Sequence, residues 1–320
     1  MLWTLLVLAA WISPTRDAAV VPPVSPETFR CWFEAARQGK LDIPEAVRRD
    51  ARRYRYVFVE GFWNERMHGY FSRNIQELRA LGVPLDAIHT ISPSSHQAGE
   101  SHAAAVRDAI HALAAHGRER LVVIAHSRGA CDAFAFALSE SDFVRDRVAA
   151  LFLVQGPFGG TGIADCVTGD GPPTDRSMPP RHRAVVRLLA WFQNLRLAAG
   201  SHAGLHEMTR QASHDYWTLA RRKQAAALPI VGPKTYFITT ESRAPRLRPI
   251  RRAFAIYLTA YFGPNVGVVV RDDQSLPGLG AIVRLHDTGH NDLTHHFPAG
   301  RRGRTRAALI DAILMTVARP

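Results

Sequence analysis

A serine stands between an apolar run and an Ala-rich segment in LVVIAHSRGA, residues 121–130. Ser127 has the chemistry of a nucleophile, because a serine hydroxyl attacks a carbonyl once a base takes its proton. A sharp turn from strand to helix presents such a serine, and the crowded backbone there needs small residues two before and two after it. Ala125 and Gly129 meet that need. The alternative is a serine that only caps the following helix.

The pentapeptide AHSRG resembles the G-x-S-x-G nucleophile elbow, in an A-x-S-x-G form found in bacterial lipases. From about Tyr56 to Thr294 the chain is similar to the α/β-hydrolase family, and within it to the bacterial lipase and esterase group. The resemblance implies a serine hydrolase whose catalytic residues follow in the order Ser, acid, His, with an oxyanion hole supplied early in the chain. It is strong at three motifs and thin in the cap region.

Two backbone N–H groups are expected to hold the negative charge that develops on the carbonyl oxygen during acyl transfer. The resemblance assigns one of them to Arg128, the residue after the nucleophile. It assigns the other to Phe62, because the first strand ends in Glu60-Gly61-Phe62, where lipases often carry His-Gly and an apolar residue. Glu60 in place of His departs from that pattern, and a plain strand end with aromatic packing is the alternative.

Several histidines follow the last predicted strand in AIVRLHDTGHNDLTHH. The resemblance places the base in this loop. His290 is favoured because it follows the flexible turn Asp-Thr-Gly and stands in HNDL, which resembles the lipase pattern. His286, His295 and His296 are the alternatives. Asp292 is interpreted as a solvated loop carboxylate, and the alternative is that it steadies the histidine loop, with calcium as in some lipases.

The third member of a triad orients the histidine and stabilises its cation. In lipases of this type the acid often stands in an Asn-Asp-Gly-apolar-Val stretch some two dozen residues before the histidine, and NVGVV places Val266 at that position. Glu241 is the first substitute, since it directly follows the strand TYFITT and α/β folds place their sites at the carboxyl ends of strands. Asp272 or Asp273 is the second. A site without a working acid is the third alternative.

The elements that must position these residues alternate along the chain. Apolar segments rich in β-branched residues are separated by helical segments, which predicts βαβ units and a mostly parallel sheet. The predicted strands span 55–61, 87–92, 121–126, 149–155, 234–240 and 281–286. The predicted helices among them span 71–81, 98–115, 128–138 and 250–262. The fold class is therefore α/β, with a mostly parallel central sheet and helices on both faces, as in the α/β-hydrolase fold.

The alternation breaks between 156 and 229. A Gly/Pro-rich loop is followed there by RHRAVVRLLAWFQNLRLAAG, in which Val185, Leu189 and Phe192 share one apolar helical face. The segment at about 160–228 is interpreted as a helical cap insertion, which would cover an apolar cleft. A helix that packs in the core of the domain is the alternative.

Residues 2–12 form an apolar run of signal-peptide length that is too short to span a bilayer. The run lacks a basic start, and Arg16 or Asp17 stands where a cleavage site needs a small residue. A signal or anchor is weighed equally against an apolar segment that docks on the domain, and a secreted or periplasmic location is slightly favoured. Residues 1–25 are thus interpreted as leader and linker, and residues 26–320 as the hydrolase domain.

Charge and cysteine content limit the partners. Lys and Arg outnumber Asp and Glu by 40 to 28, a formal net charge of +12, which favours anionic partners such as a phospholipid membrane surface. The basic residues are scattered and form no nucleic-acid-binding module, so no nucleic-acid partner is expected. Cys31, Cys131 and Cys166 are too few for a disulfide framework or a CxxC metal site, although one pair could bridge. No metal and no cofactor are expected.

Together these features predict a hydrolase of carboxylic esters that works through an acyl-serine intermediate. Ser127 attacks, and His290 is first base and then acid. Phe62 and Arg128 hold the oxyanion, and Glu241 orients the histidine. The apolar cap helix indicates a small-molecule ester substrate with an acyl chain. The alternatives are a thioesterase or amidase on the same fold, and a catalytically weakened hydrolase fold that binds an apolar ligand or a membrane surface.

Overall fold

The computed structural model describes residues 24–62, 64–95, 99–168, 202–243, 247, 249–295 and 301–318. The apolar run at 2–12, the helix predicted within 181–197 and His296 lie outside the described residues. None of the helices within the described ranges combines the length and the apolar character that a membrane span requires.

Six parallel strands form one sheet in the described part of the chain, and each lies within two residues of a predicted strand. The strands are β1 Tyr54–Val59, β2 Ile88–Ile91, β3 Arg120–His126, β4 Val148–Val154, β5 Thr235–Thr240 and β6 Ala281–Leu285. Their order in the sheet is β2-β1-β3-β4-β5-β6. The central strands β3 and β4 are covered on both faces, which explains their continuous apolar sequences.

Helices cover both faces of this sheet. The helices of the described residues are α1 Pro26–Arg37, α2 Glu45–Ala51, α3 Ser72–Ala80, α4 Gly99–Ala115, α5 Arg128–Ser139, α6 Ser141–Arg147, α7 Gly162–Thr168, α8 His202–His206, α9 Arg210–Lys223, α10 Leu228–Val231, α11 Pro249–Tyr261 and α12 Arg301–Val317. Helices α1, α2, α3 and α12 supply the apolar residues on one face. Helices α4, α5, α6, α9 and α10 supply those on the other. The sheet is therefore the middle of three layers.

The order of the strands brings two loops together at one edge of the sheet. From β1 the chain moves outward to β2 and then returns to β3 on the other side of β1. In parallel α/β sheets, ligands bind outside the carboxyl ends of the strands where the order reverses in this way. The residues after β1 and those after β3 therefore meet at the position where a site is expected.

Helix α9 belongs to the segment for which a cap was predicted, but it packs on the main domain. Its Trp217 is buried, with ring centroids 5.7 Å from Phe134 of α5 and 5.3 Å from Phe158. Helices α7, α8 and α11 share a smaller apolar cluster of their own, in which Leu205 contributes from α8. This part of the segment thus joins the core of the domain through α9 and forms a separate cluster through α7 and α8.

Candidate active site

Ser127 lies in a sharp turn between β3 and α5. Its backbone has φ 55° and ψ −130°, a conformation that is costly for a residue with a side chain and is held in place by its surroundings. A Cβ on Gly61 would lie 2.7 Å from the Cβ of Ser127, and a Cβ on Gly129 would clash with the carbonyl oxygen of Glu60. The turn therefore requires its small neighbours. The Ser127 side chain makes no capping hydrogen bond to α5.

His290 is the histidine that reaches this serine. Its Nε2 lies 3.1 Å from the Oγ of Ser127, the distance at which a hydroxyl donates to an imidazole. The side chain is 5% exposed. Burial is the main cause that lowers the pKa of His290 below its usual value, and the neighbouring His126 lowers it further. The imidazole is therefore neutral and able to accept a proton.

The other histidines of this region are engaged elsewhere. His286 is largely exposed, and its Nδ1 lies 2.8 Å from a carboxylate oxygen of Glu241. His295 is buried, with its Nδ1 2.8 Å from the Oγ1 of Thr294 and its ring against Tyr70. Burial lowers the pKa of His295 to about 2.

The structure does not bring Glu241 to the imidazole of His290. One carboxylate oxygen of Glu241 contacts His286, and the other accepts from Arg271 at 3.0 Å. The physical reason is that His286 and Arg271, which lies thirty residues further along, occupy the two carboxylate oxygens. The role expected for Glu241 therefore finds no support in this geometry.

The aspartates proposed as substitutes are also engaged. Asp272 is exposed and bound to Arg271, which lowers the pKa of its carboxyl. Asp273 is largely buried and lies 3.4 Å from Arg210, and burial raises its pKa to about 6. Asp132, on the nucleophile helix α5, is paired with the Nδ1 of His102 at 2.7 Å. No carboxylate among the described residues therefore accepts from the Nδ1 of His290.

Val266, at the position where an acid was expected, lies next to the base. Its carbonyl oxygen accepts the backbone N–H of His290 at 3.4 Å, and its side chain is fully buried. The Nδ1 of His290 is buried and makes no hydrogen bond within the described residues. An apolar residue therefore stands where a carboxylate was expected, and the imidazole has no charged orienter there.

One expected oxyanion donor, Arg128, directly follows the nucleophile, and the other, Phe62, follows a glycine that lies close to it. Phe62 follows Gly61, which is in van der Waals range of Ser127. Arg128 is the first residue of α5, so its backbone N–H has no acceptor within the helix. The Arg128 side chain is only 4% exposed and donates to a carboxylate oxygen of Glu207 at 2.9 Å.

A cavity of about 560 Å³ lies beside the nucleophile helix, between α4, α5 and α9. Apolar groups form much of its wall, among them Ala103, Ala135, Phe136, Met208 and Trp217. Arg128, Asp132 and Glu207 supply charged groups to the same wall. The cavity thus offers an apolar volume next to the residue that follows Ser127.

The described residues hold no cluster of three or more His, Cys, Asp or Glu side chains arranged for a metal ion. The three cysteines, Cys31, Cys131 and Cys166, are free thiols. Burial raises the pKa of the Cys131 thiol, so this cysteine is a neutral apolar group beside α5.

No motif in the sequence indicates the polar contacts that Tyr70, His126 and Gln155 make around the site. Tyr70 donates its hydroxyl to the Nδ1 of His126 and accepts the N–H of Gly61 at 3.1 Å. Gln155, at the carboxyl end of β4, contacts His126 and the carbonyl of Gly289 at 3.2 Å. Its φ of 52° marks a second strained backbone position. The only signal in the sequence was that Gln155 is the last residue of a predicted strand, at the carboxyl end where α/β folds place their sites.

No family model matches the sequence, and no curated protein resembles it closely enough to count as a match. Solved structures do resemble the fold. The metagenomic carboxyl esterase MGS0156 superposes with a TM-score of 0.60 at 19% identity, over 82% of this chain and 74% of that one. The mature form of the lipase BlEst2 from Bacillus licheniformis gives 0.53 at 12% identity, over 74% and 84%.

The chain has the α/β-hydrolase fold. The six-stranded parallel sheet with helices on both faces matches these neighbours, and the predicted fold class is confirmed. At such low identities the likeness concerns the fold, and the chemistry must be argued from the residues of the site.

Proposed function

We propose that this α/β-hydrolase-fold protein hydrolyses carboxylic esters through an acyl-serine intermediate. The observation that carries the proposal is the 3.1 Å contact between His290 Nε2 and Ser127 Oγ, made by a serine on a strained strand-to-helix turn. A strained turn of this kind is a device that α/β-hydrolases use to expose a nucleophile. That the similar structures are of a carboxyl esterase and a lipase supports the reaction class.

The reaction starts when the Oγ of Ser127 attacks the ester carbonyl and its proton moves to Nε2 of His290. The carbonyl oxygen becomes negative and accepts from the backbone N–H groups of Phe62 and Arg128. As the tetrahedral intermediate collapses, the proton on Nε2 passes to the leaving alcohol oxygen, and the acyl group stays on the serine. Water then attacks the acyl carbonyl with the same histidine as base, and the carboxylic acid leaves.

The environment of His290 affects one step of this reaction. When Nε2 accepts the proton, the positive imidazolium needs an acceptor at Nδ1, and the described residues supply none. Loss of the acid in a serine protease costs about 10⁴-fold in kcat. We therefore expect a slow hydrolase that favours substrates with good leaving groups, such as aryl esters or thioesters, because these depend least on protonation by the histidine.

The cavity beside α5 is the best candidate for the acyl group of the substrate. Its wall is largely apolar, and it reaches Arg128, the residue next to the nucleophile. Each methylene buried in such a cavity contributes about 0.8 kcal/mol of binding. A medium-length acyl chain is the substrate feature that this volume favours.

A second candidate function is binding without efficient turnover. The observation that favours it is the buried Nδ1 of His290, which faces no carboxylate where Val266 replaces the expected acid. In that case the cavity would hold an apolar ligand, and Ser127 would be poorly reactive. The two functions differ in one measurable quantity, which is turnover.

The experiment is a comparison of ester hydrolysis by the wild type, Ser127→Ala and Ser72→Ala, with p-nitrophenyl esters of increasing acyl length. Ser72 is a matched control, since its exposed hydroxyl only donates to the carbonyl of Gly69. We expect Ser127→Ala to lose at least about 10³-fold in kcat/KM while Ser72→Ala keeps the wild-type rate. Wild-type turnover that survives Ser127→Ala would reject the proposal, and binding of the ester without turnover by the wild type would favour the second function.

A further inference from the structure

The main chain of the base is clamped on both sides of His290. The Nε2 of His126 donates to the His290 carbonyl at 2.9 Å, so it holds the peptide that follows the base. The Nε2 of Gln155 donates to the Gly289 carbonyl at 3.2 Å, so it holds the peptide that precedes it. These two side chains come from the carboxyl ends of β3 and β4. They reach the backbone of the base, whereas a triad carboxylate would reach its imidazole.

The positions of the protons in this network follow from its acceptors. The Nε2 of His126 faces two oxygens, the side-chain carbonyl of Gln155 at 3.0 Å and the backbone carbonyl of His290, so Nε2 carries the hydrogen. The Nδ1 of His126 is then an acceptor, and it receives the hydroxyl proton of Tyr70. The same hydroxyl accepts the N–H of Gly61. One directed chain of hydrogen bonds thus links the turn after β1 to the loop of the base.

Burial keeps this chain in one protonation state. His126 is 1% exposed, and burial lowers its pKa to about 4, so its imidazole is neutral near neutral pH. Burial also raises the pKa of Tyr70 above its usual value, so the hydroxyl keeps its proton. The ring centroids of His126 and His290 are 4.6 Å apart, which places the chain directly beside the base.

We propose that Tyr70 and His126 are positioning residues. They hold the turn at Gly61, just before the oxyanion donor Phe62, and the loop of His290 at fixed positions relative to Ser127. The inference rests on the proposed function and adds to it. In a serine triad a carboxylate orients the imidazole through Nδ1 and also stabilises its charge. Here neutral donors orient the base through its main chain and supply no charge. A base that is well placed and poorly stabilised is the expected result.

Tyr70→Phe tests this positioning role, because it keeps the ring and removes only the hydroxyl that joins Gly61 to His126. Displacing reacting groups by about 1 Å costs on the order of 10²-fold, so we expect kcat per titrated active site to fall at least about 10-fold with KM within about 2-fold. Tyr236→Phe is the matched control, since its buried hydroxyl accepts the backbone N–H of Val24 at 2.9 Å, near the amino end of β5. If Tyr70→Phe keeps the kcat of this control, the Tyr70 hydroxyl has no positioning role and the residue contributes only the packing of its ring.

His126→Gln and His126→Asn form a second, independent test. The amide nitrogen of Gln reaches the position of the histidine Nε2, whereas that of Asn reaches the position of Nδ1. We expect the Gln variant to retain more kcat per titrated site than the Asn variant, because only Gln restores a donor to the His290 carbonyl. Equal kcat for the two variants overturns the inference. Wild-type protein without turnover and without a reactive Ser127 would instead reject the proposed function itself.

Discussion

At the scale of single residues, the environment of His290 sets how its charge responds to pH. Burial, then His126 and Arg251, lower its pKa below the usual 6.5. In a serine triad the acid works in the opposite direction, because a nearby carboxylate favours the charged form and raises the pKa. A base is active only while it is neutral. The acid limb of the activity profile therefore reports whether a carboxylate lies next to the imidazole.

We expect kcat/KM for an aryl ester to stay constant as the pH falls through 6.5 and to decline only at lower pH. The sign follows from the lowered pKa, since His290 remains unprotonated until the pH drops below it. The measurement is a kcat/KM profile from pH 4.5 to 8.5, with fluorescence at each pH to show that the fold persists. An inflection at or above about pH 7 would reveal a carboxylate partner for His290.

Glu241 and Val266 give opposite expectations under substitution. Glu241 contacts His286 and Arg271, so Glu241→Gln should change kcat by less than about 3-fold. Val266→Asp should raise kcat about 10-fold or more in the folded fraction, because an acid orienter contributes up to about 10⁴-fold in a serine protease. Val269→Asp, at a position just as buried in the same turn, is the control and should bring no gain.

Single-turnover rates of these three variants on one short-chain ester decide between the assignments. A loss of about 10²-fold in Glu241→Gln would return the role of the acid to Glu241 and contradict the geometry described above. A gain in Val269→Asp equal to that in Val266→Asp would show that any added charge suffices.

At the scale of the elements, an ion pair joins the nucleophile helix to the segment between α8 and α9. The guanidinium of Arg128 is buried against Gly204 and donates to Glu207 at 2.9 Å. A Cβ at position 204 would come too close to Nη1 of this guanidinium, so a larger residue there would force the guanidinium to shift. The pair thus fixes α8 and α9 on α5 at the edge of the site.

Glu207→Gln should lower the free energy of unfolding by about 1–3 kcal/mol, because it removes the charge that pairs with the buried guanidinium of Arg128. Asp142→Asn is the control. Its ion pair with Arg145 is of similar length, 2.8 Å, but lies on the surface, where such pairs contribute about 0–1 kcal/mol. Urea unfolding of both variants measures the difference. Equal losses would mean that the pair of Arg128 is merely a surface contact.

The sequence predicts the elements well where burial is uniform along a segment. The four inner strands β1, β3, β4 and β5 are largely buried between helices, so their apolar runs identify them without knowledge of the tertiary structure. Helix α12, Arg301–Val317, was not predicted, although its buried face with Leu309 and Ile313 packs against α1 in the main core. Its N-terminal turn is rich in arginine and masks the apolar pattern that follows.

The site was predictable only in part, for a physical reason. Ser127 and His290 each stand in a short sequence motif, AHSRG and HNDL, and each motif lies within one turn or loop. The orienting contacts of the base depend on side chains that meet across the sheet edge, such as Tyr70 with His126 and Glu241 with Arg271. No local pattern in the sequence encodes these contacts, because they depend on the order of the strands in the sheet and on the direction of each side chain.

At the scale of the whole molecule, stability depends on a buried carboxyl in α12. Asp311 is largely buried, and its Oδ1 has no hydrogen-bond partner in the described part of the chain. Burial, and the charge of Glu77, raise the pKa of Asp311 from 3.8 to about 7. The unfolded chain releases this proton near pH 4, whereas the native chain keeps it, so stability falls as the pH rises from about 4 to about 7.

Asp311→Asn should therefore raise the urea midpoint relative to wild type at pH 8, and raise it much less at pH 4. Asparagine keeps the shape of the protonated acid and cannot ionise. Asp42→Asn, at a fully exposed carboxyl, is the control and should show little pH-dependent difference. A gain for Asp311→Asn that is equal at both pH values would reject a contribution from its ionisation.

The central claim is that Ser127 is a nucleophile activated by His290. The most direct measurement is covalent labelling of the wild type and of His290→Ala with a fluorophosphonate probe, followed by peptide mapping. We predict one label in the wild type, on Ser127 in LVVIAHSRGA, and a labelling rate that falls at least about 10²-fold in His290→Ala, because the hydroxyl then has no base. A label on another serine, or a labelling rate at Ser127 that is unchanged in His290→Ala, would contradict the claim.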